Sequence, residues 1–347
     1  MKQIKILGAG LSGLTAAINL ALEGYKVKMF EKNNDCGKRF NNDFQGLENW
    51  ESKVDILNDL KSMNIETNFY CKPFHTVWVY DFKLNKTKIT SKTPVFYLVM
   101  RGNTKECLDI ALKKQAIKLG VEINFNKTLA EKDANIIATG PKRVDAVAKG
   151  ITFNTKTSDT AIGVLNDNIA PKGYAYLLVS AGKGTLATVL FKDFENIDYY
   201  FEKTIGTFNK IIDLKLKNIK EFGGYGNFFL SKKYEKNRKL FTGEIIGLQD
   251  FFLMFGMRYA ITSGYLAAKS IIENKNYDDL IKYKFRNQLK TSIVNRFLFE
   301  RLGNRGYQLL ISKTKNVNEL ISFLNKQSNP SFNKKLIYPI SKCVLKK

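Results

Sequence analysis

The feature that most constrains this chain is a glycine-rich turn between an apolar strand and a helix. The strand covers residues 4–7, the turn contains Gly8, Gly10 and Gly13, and an alanine-rich helical run continues over residues 14–22. Gly8 allows a sharp turn, Gly10 allows the backbone to approach a pyrophosphate, and Gly13 allows close packing of helix on strands. The helix N-terminus offers N–H donors and a positive dipole end to phosphates. The pattern therefore predicts a dinucleotide-binding βαβ unit.

An acidic residue completes this unit. A second strand over residues 26–30 ends at Glu31, whose carboxylate can accept hydrogen bonds from an adenosine ribose. An acid there favours a ribose without a phosphate, and so FAD or NAD rather than NADP. The alternative is a glycine-rich helix start that binds nothing. The predicted cofactor-binding residues of this unit are Gly8, Gly10, Leu11, Ser12, Gly13, Glu31 and Lys32.

Composition excludes several classes of site. The chain has 347 residues, of which 44% are hydrophobic, enough for one large or two modest domains. No run of about eighteen apolar residues occurs, so we expect no transmembrane helix. Four cysteines without paired spacing argue against a disulfide framework or a zinc site and favour a cytoplasmic location. With His75 as the only histidine, we predict no metal site and assign no catalytic side chain.

The net charge of +24 has two explanations: a lysine-rich composition without function, or a surface that attracts anionic lipid or phosphorylated substrates. No nucleic-acid motif is present, so we expect no nucleic-acid partner. Residues 276–347 carry fifteen Lys or Arg against four acids. Within them Val317, Leu320, Ile321 and Leu324 have helical spacing, which predicts a basic amphipathic helix. This helix either caps the core or lies peripherally on an anionic membrane.

Periodicity along the chain indicates its organisation. The pattern predicts a polar loop over 33–46, a hairpin of 76–80 with 86–90, a strand over 95–100, a helix over 106–119, and strands over 121–125 and 134–138. An antiparallel sheet is expected between about 146 and 229, with one helix near 195–209. A strand over 239–242 and a helix over 257–272 then return to the nucleotide-fold pattern. The tail from 276 to 347 is predicted to be helical.

Four separated segments carry a family resemblance. They are the Gly8–Gly13 turn with Glu31, the Ile-Ile-Ala-Thr-Gly sequence at 136–140, the Pro-Lys-Gly-Tyr-Ala-Tyr sequence at 171–176, and the segment 242–264 that begins Thr-Gly-Glu. Together they resemble the FAD-dependent oxidoreductases of the geranylgeranyl reductase group, within the para-hydroxybenzoate hydroxylase-like flavoprotein superfamily. The resemblance implies an α/β fold: a Rossmann-like FAD-binding domain (1–145 and 230–275), an inserted, mostly antiparallel β substrate domain (146–229), and a helical C-terminal region (276–347).

The resemblance also implies site residues. Glu244 would accept hydrogen bonds from the ribityl hydroxyls, and the helix that starts near Gly256 would point its N-terminus at the flavin pyrimidine ring. Arg101 would reach the pyrophosphate or cap a helix at the surface, and Arg39 would contact the flavin or a substrate anion or remain a solvated loop residue. The implied FAD-binding residues beyond the first unit are Arg39, Arg101, Thr139, Gly140, Gly243, Glu244, Gly256 and Met257.

This chain departs from the family pattern at three places. Glu244 replaces the usual aspartate. The family's aromatic strand usually carries Trp and Phe-Pro, whereas here Tyr176 is followed by Leu-Leu-Val at 177–179. Cys36-Gly37 continues into lysine and arginine instead of a glycine-rich sequence.

The expected function is that of an FAD-dependent oxidoreductase that reduces an alkene of an apolar, isoprenoid-like substrate by hydride transfer from reduced flavin. Without a second glycine motif, electrons would come from transiently bound NAD(P)H or from a donor protein. The alternatives are a flavin monooxygenase, a redox-neutral or non-catalytic FAD protein, and an NAD-binding protein without flavin.

Overall fold

A computed structural model describes residues 2–314 and 320–345 of the chain. Its strands are β1 Gln3–Leu7, β2 Lys26–Glu31, β3 Asp43–Glu48, β4 Cys71–Phe74, β5 Thr76–Tyr80, β6 Lys86–Thr90, β7 Phe96–Arg101, β8 Glu122–Phe125, β9 Ile136–Ile137, β10 Ala146–Asn154, β11 Thr160–Val164, β12 Tyr174–Ser180, β13 Lys183–Leu190, β14 Lys217–Gly226, β15 Glu235–Lys236 and β16 Lys239–Phe241. Its α-helices are α1 Leu11–Leu22, α2 Ile56–Ser62, α3 Leu108–Lys118, α4 Ile197–Ile211, α5 Met257–Ile272, α6 Tyr277–Thr314, α7 Leu320–Ser328 and α8 Phe332–Leu345.

The first sheet has six strands in the order β15-β16-β9-β1-β2-β8. All neighbouring pairs are parallel except β15 with β16, and Ile6 of β1 pairs with Met29 of β2. Strands from three distant parts of the chain therefore share one sheet. This confirms the prediction of a Rossmann-like domain assembled from separated segments.

The second sheet has seven strands in the order β14-β10-β13-β12-β11-β5-β6. Its pairs are antiparallel apart from β11 with β5. Helix α4 packs on this sheet through Phe201 and Phe208, which share a buried cluster with sheet residues. The predicted hairpin at 76–90 forms, but it joins this sheet, which therefore extends beyond the range 146–229. The domain bounds themselves remain a prediction.

A third sheet, β3-β7-β4, is fully antiparallel. The prediction of a loop over the whole of 33–46 was wrong at its end, because β3 begins at Asp43. The polar residues and the glycine of this stretch concealed the strand: Asp43 is buried and hydrogen-bonded, and Gly46 packs against the ring of Phe96. Local composition does not show that a polar side chain will be hydrogen-bonded when buried, or that a glycine will pack against a ring.

Helices α1 and α5 cross at close range beside the first sheet. A Cβ built on Gly264 of α5 would overlap the carbonyl oxygen of Ser12 in α1, and one on Gly13 would overlap the carbonyl oxygen of Gly8. The two glycines thus permit a strand, a turn and two helices to pack backbone to backbone. This crossing joins the beginning of the chain to the segment near residue 260.

The C-terminal region is helical. Helix α6 is broken at Gly303, whose φ of 58° and ψ of −171° are not helical. Helix α6 packs against α5, α7 and α8. Of the predicted apolar stripe, Val317 lies outside the described residues, and the side chains of Leu320 and Ile321 also lie outside them. Among the helices of residues 2–314 and 320–345, none combines the length and apolar character needed to cross a bilayer.

Candidate functional site

A cavity of about 730 Å³ lies where the three sheets meet α1 and α5. This volume is typical of a cofactor or ligand pocket. Its wall combines the opening glycine turn with residues near 250, so the two distant stretches border one continuous space. The predicted site residues that line it are Gly8, Gly10, Leu11, Ser12, Glu31, Lys32, Arg39, Arg101, Thr139, Gly140, Glu244, Gly256 and Met257.

The N-terminus of α1 faces this cavity with its backbone donors available. No side chain of the described residues caps the helix at Gly10, and its first turn contains no acid. A Cβ built on Gly10 would meet no described atom within 4 Å, so the backbone is open to a ligand there. By contrast, Asp55 caps α2 by accepting a hydrogen bond from the Leu57 N–H. The open end of α1 fits a bound pyrophosphate.

Glu31 is held at the end of β2 by backbone and side-chain donors. Its Oε2 accepts from the N–H of Ala9 at 2.9 Å, and its Oε1 accepts from the backbone N–H and the side-chain amide of Asn33 at 3.0 and 2.7 Å. These bonds fix the carboxylate against the glycine turn. Because each carboxylate oxygen can accept more than one hydrogen bond, the group remains able to bind a ribose hydroxyl.

Glu244 and Arg39 meet at the cavity wall. Arg39 Nη1 lies 2.5 Å from Glu244 Oε2, and Arg39 Nη2 donates to the carbonyl oxygen of Tyr225. The other oxygen of Glu244 accepts from the Asn227 N–H at 3.2 Å. Arg39 is thus held by partners from β14 and from the turn after β16. A charged pair with a half-exposed arginine at the wall could bind an anionic or hydroxylated ligand.

The N-terminus of α5 borders the same cavity. Gly256 precedes the helix, no described side chain caps it, and the first turn contains no acid. Behind it, Ser263 Oγ accepts from the Gly243 N–H at 3.0 Å and from the Thr242 hydroxyl at 2.9 Å. These bonds fix the strand end against α5. Gly13 and Gly243 do not line the cavity: they allow close packing behind the residues that do.

Arg101 is buried, not a surface residue. Its Nε and Nη2 donate to the two carboxylate oxygens of Asp109 at 2.8 and 3.0 Å, and its guanidinium stacks 3.9 Å from the ring centre of Phe40. It also lines the cavity. The bidentate bond to Asp109 in the first turn of α3 explains its orientation. Contact with a pyrophosphate remains a prediction.

The wall formed by the second and third sheets is mainly apolar and aromatic. The Tyr174 hydroxyl donates a hydrogen bond to the Leu253 carbonyl oxygen at 2.6 Å. Burial raises the pKa of Tyr176 well above its usual value. The cavity lining also includes residues that the sequence analysis did not assign to the site, from these sheets and from the segment before α5. Among them are Asp43, Gln45, Val77, Phe96, Ile162, Leu178, Val189, Phe222, Gly223, Gly224, Tyr225, Gly226, Gln249, Leu253, Met254 and Phe255. Gly223, Gly224 and Gly226 could have been found from the sequence, because glycines within a strand indicate that a ligand or another backbone approaches closely.

A second, smaller cavity of about 60 Å³ lies behind the first, and Leu253 and Phe255 line both. Glu51 and Asp250 border it, and the Tyr259 hydroxyl donates to Glu51 at 3.0 Å. Burial and the nearby Asp250 raise the pKa of Glu51 to about 7. Glu48 is fully buried with neither carboxylate oxygen hydrogen-bonded within the described residues, and burial together with Glu51 raises its pKa. No sequence pattern indicated this group of buried acids.

Cys36 and His75 both lie outside the cavity lining. Cys36 is buried, and burial followed by the charge of Asp35 raises the pKa of its thiol, which disfavours the reactive thiolate. His75 lies between β4 and β5, where its Nδ1 is 3.3 Å from the carbonyl oxygen of Ser91. In the described part of the chain, no group of three His, Cys, Asp or Glu side chains is arranged to hold a metal ion.

Sequence comparison finds matches to short parts of this chain. Residues 6–51 match the family model described as NAD(P)-binding Rossmann-like domain. A 4,4'-diapophytoene desaturase (4,4'-diaponeurosporene-forming) of Staphylococcus aureus is 49% identical over 39 residues, which are 11% of this chain and 8% of the desaturase. This match covers a small part of either protein.

Structural comparison covers the whole chain. A geranylgeranyl bacteriochlorophyll reductase-like protein from Thermoplasma acidophilum superposes with a TM-score of 0.74 at 16% identity, covering 100% of this chain and 99% of the other. A flavin-dependent brominase gives 0.64 at 16% identity, with 99% of each chain covered. The p-nitrophenol 4-monooxygenase of Pseudomonas putida gives 0.63 at 10% identity, with 94% and 97% covered. The chain therefore has the same fold as these three proteins, which confirms the fold that the sequence resemblance implied.

Proposed function

We propose that this chain is an FAD-dependent oxidoreductase that acts on an apolar small molecule. The observation that carries the proposal is one cavity bordered by two uncapped helix N-termini, those of α1 and α5. A single dinucleotide has two regions that such ends can stabilise: the pyrophosphate and a flavin ring that becomes more negative on reduction. A nicotinamide dinucleotide bound at the first turn alone would leave the second end without a ligand.

The proposed binding mode assigns a role to each end of the cavity. The turn at Gly10 and the carboxylate of Glu31 would hold the pyrophosphate and the adenosine ribose, with Thr139 and Gly140 beside the adenosine half. Glu244 would bind the ribityl hydroxyls, and the backbone at Gly256 and Met257 would face the flavin ring. A bound flavin would supply hydride transfer.

The apolar wall supports an apolar substrate, for which we propose an alkene, with isoprenoids as the first compounds to test. Phe96, Phe222 and Leu178 offer contact area without charge, and Tyr174 is committed to a backbone carbonyl. Such a wall would orient the substrate by shape and exclude water from the reacting atoms. The electron donor would be transiently bound NAD(P)H or a donor protein.

The first experiment is to purify the chain, record its visible spectrum and identify the released cofactor. Flavin absorbance and released FAD are expected. A colourless protein that does not bind added FAD would refute the proposal. Next, the reduced protein is mixed anaerobically with isoprenoid alkenes: flavin reoxidation with formation of the saturated product supports the reductase. Oxygen uptake coupled to hydroxylated product would instead identify a monooxygenase, and FAD binding without turnover would favour a redox-neutral protein.

A further inference from the structure

Helix α8 presents an apolar face to solvent. Phe332, Leu336, Ile340 and Val344 are spaced four residues apart on this helix and are 74%, 63%, 60% and 50% exposed. Residues at this spacing lie along one side of an α-helix. Single exposed apolar side chains are usual on protein surfaces and need no explanation. A continuous exposed stripe of this kind indicates an interaction surface.

The opposite face of α8 is anchored to the rest of the protein. Helix α8 packs along α6, Ser341 is fully buried, and Tyr338 and Leu345 contact the main core. The Nζ of Lys290 in α6 lies 5.1 Å from the ring centre of Tyr338. This packing orients α8, so the apolar stripe faces outward as part of the folded surface.

The charge around the stripe selects its partner. Residues 320–347 contain six lysines and no aspartate or glutamate, and Lys335 and Lys342 are exposed on α8 itself. A helix with an apolar face, flanking lysines and no acids fits the interface of an anionic bilayer, where its side chains reach the acyl region and its lysines meet lipid phosphates. A second copy of this chain would bring like charges together, which disfavours self-association through this face.

We propose that α8 is a membrane-docking helix that binds the surface of anionic bilayers through Phe332, Leu336, Ile340 and Val344. Its fourteen residues span about 21 Å, less than the roughly 30 Å hydrocarbon core, so it lies in the plane of the interface. The surface of α8 is distinct from the large cavity between the three sheets, and the proposed membrane binding does not depend on the proposed redox chemistry. It would hold the protein at the bilayer, where apolar molecules concentrate.

The test is co-sedimentation of the full chain with vesicles of phosphatidylcholine containing phosphatidylglycerol, compared with phosphatidylcholine alone. Binding to the anionic vesicles is expected, with a decline as salt rises. The double variant Leu336→Glu/Ile340→Glu should bind at least about tenfold more weakly, because two anchors are lost and two negative charges added. The matched control is Val54→Glu/Ile219→Glu, which makes the same charge change at side chains that are 50% and 53% exposed elsewhere.

Tryptophan fluorescence reports directly whether α8 inserts into the bilayer. The variant Phe332→Trp should shift its fluorescence to the blue when anionic vesicles are added, while circular dichroism verifies that each variant is folded. Equal binding by the α8 double variant and the native chain would overturn the proposal, as would failure of the native chain to bind anionic vesicles. A native dimer that the α8 variant converts to a monomer would assign the face to a second copy and would also overturn it.

Discussion

Arg39 and Glu244 form an ion pair, with Arg39 Nη1 2.5 Å from Glu244 Oε2, although more than 200 residues separate them along the chain. The same arginine donates to the carbonyl oxygen of Tyr225. It therefore connects the loop after β2, the end of β14 and the turn after β16 at one point of the cavity wall. Because the guanidinium is partly exposed there, it provides a positive charge that a bound pyrophosphate could share.

Replacing Arg39 with alanine should weaken FAD binding. The variant loses a charge-assisted donor and leaves Glu244 uncompensated beside the cavity, so we expect an affinity about tenfold to a hundredfold lower. Fluorescence titration of the FAD-free protein measures this change. The control is Lys183→Ala, which removes one positive charge from a half-exposed pair with Glu106 away from the cavity. Equal FAD affinities for the two variants would show that Arg39 has no role in binding.

The α1–α5 crossing predicts opposite effects of two glycine substitutions. Gly264→Ala should destabilise the protein by about 1–3 kcal/mol, because the new Cβ would overlap the Ser12 carbonyl. Gly206→Ala, in the exposed interior of α4 with no described atom within 4 Å of its Cβ, should stabilise it by about 0.5–1 kcal/mol. Urea unfolding measures both. A stabilising Gly264→Ala would contradict the close crossing.

The buried Glu51 predicts a pH dependence of stability. Burial and Asp250 raise its pKa from 4.5 to about 7 in the folded protein. Between these values the folded chain keeps a proton that the unfolded chain has released, so the free energy of unfolding falls as pH rises from 4.5 to 7. The loss from this group is on the order of 2–3 kcal/mol.

The variant Glu51→Gln should therefore flatten the pH profile and unfold at higher urea than the native protein above pH 7. Some slope will remain, because Glu48 is buried with a raised pKa of the same sign. Urea midpoints at several pH values measure the effect, and Glu106→Gln, at the surface, is the control. A Glu51→Gln profile parallel to that of the native protein would refute the assignment.

Thiol reactivity should follow burial. Cys343 is exposed on α8, whereas Cys36 and Cys107 are buried and burial raises the pKa of each of these two thiols. Burial also raises the pKa of the half-buried Cys71 to about 12. A thiol reagent should modify Cys343 rapidly in the native protein and the other three only slowly or on unfolding. Cys343→Ser should abolish the rapid phase; rapid labelling of Cys36 in that variant would instead indicate a reactive thiol beside the cavity.

The elements that the sequence predicted well are those whose determinants are local. The β1-turn-α1-β2 unit depends on glycine positions and on the switch between strand and helix periodicity, all within thirty residues. Helix α5 was predicted with its observed bounds, because its small and apolar residues follow one helical pattern and a glycine precedes it. The strand at β3 was missed, because a buried aspartate and a glycine within a strand look like a loop when their partners are unknown.

The sequence by itself determined that a glycine-rich turn joins β1 to α1 and which residues form it, since backbone conformation there depends on near neighbours. Only the tertiary structure decided which sheet receives the hairpin at 76–90, which arginine meets Glu244, and where Glu48 and Glu51 are buried together. Strand partners, ion pairs and burial depend on residues far apart in the chain, and hydrophobic periodicity specifies a face that is buried without specifying what covers it.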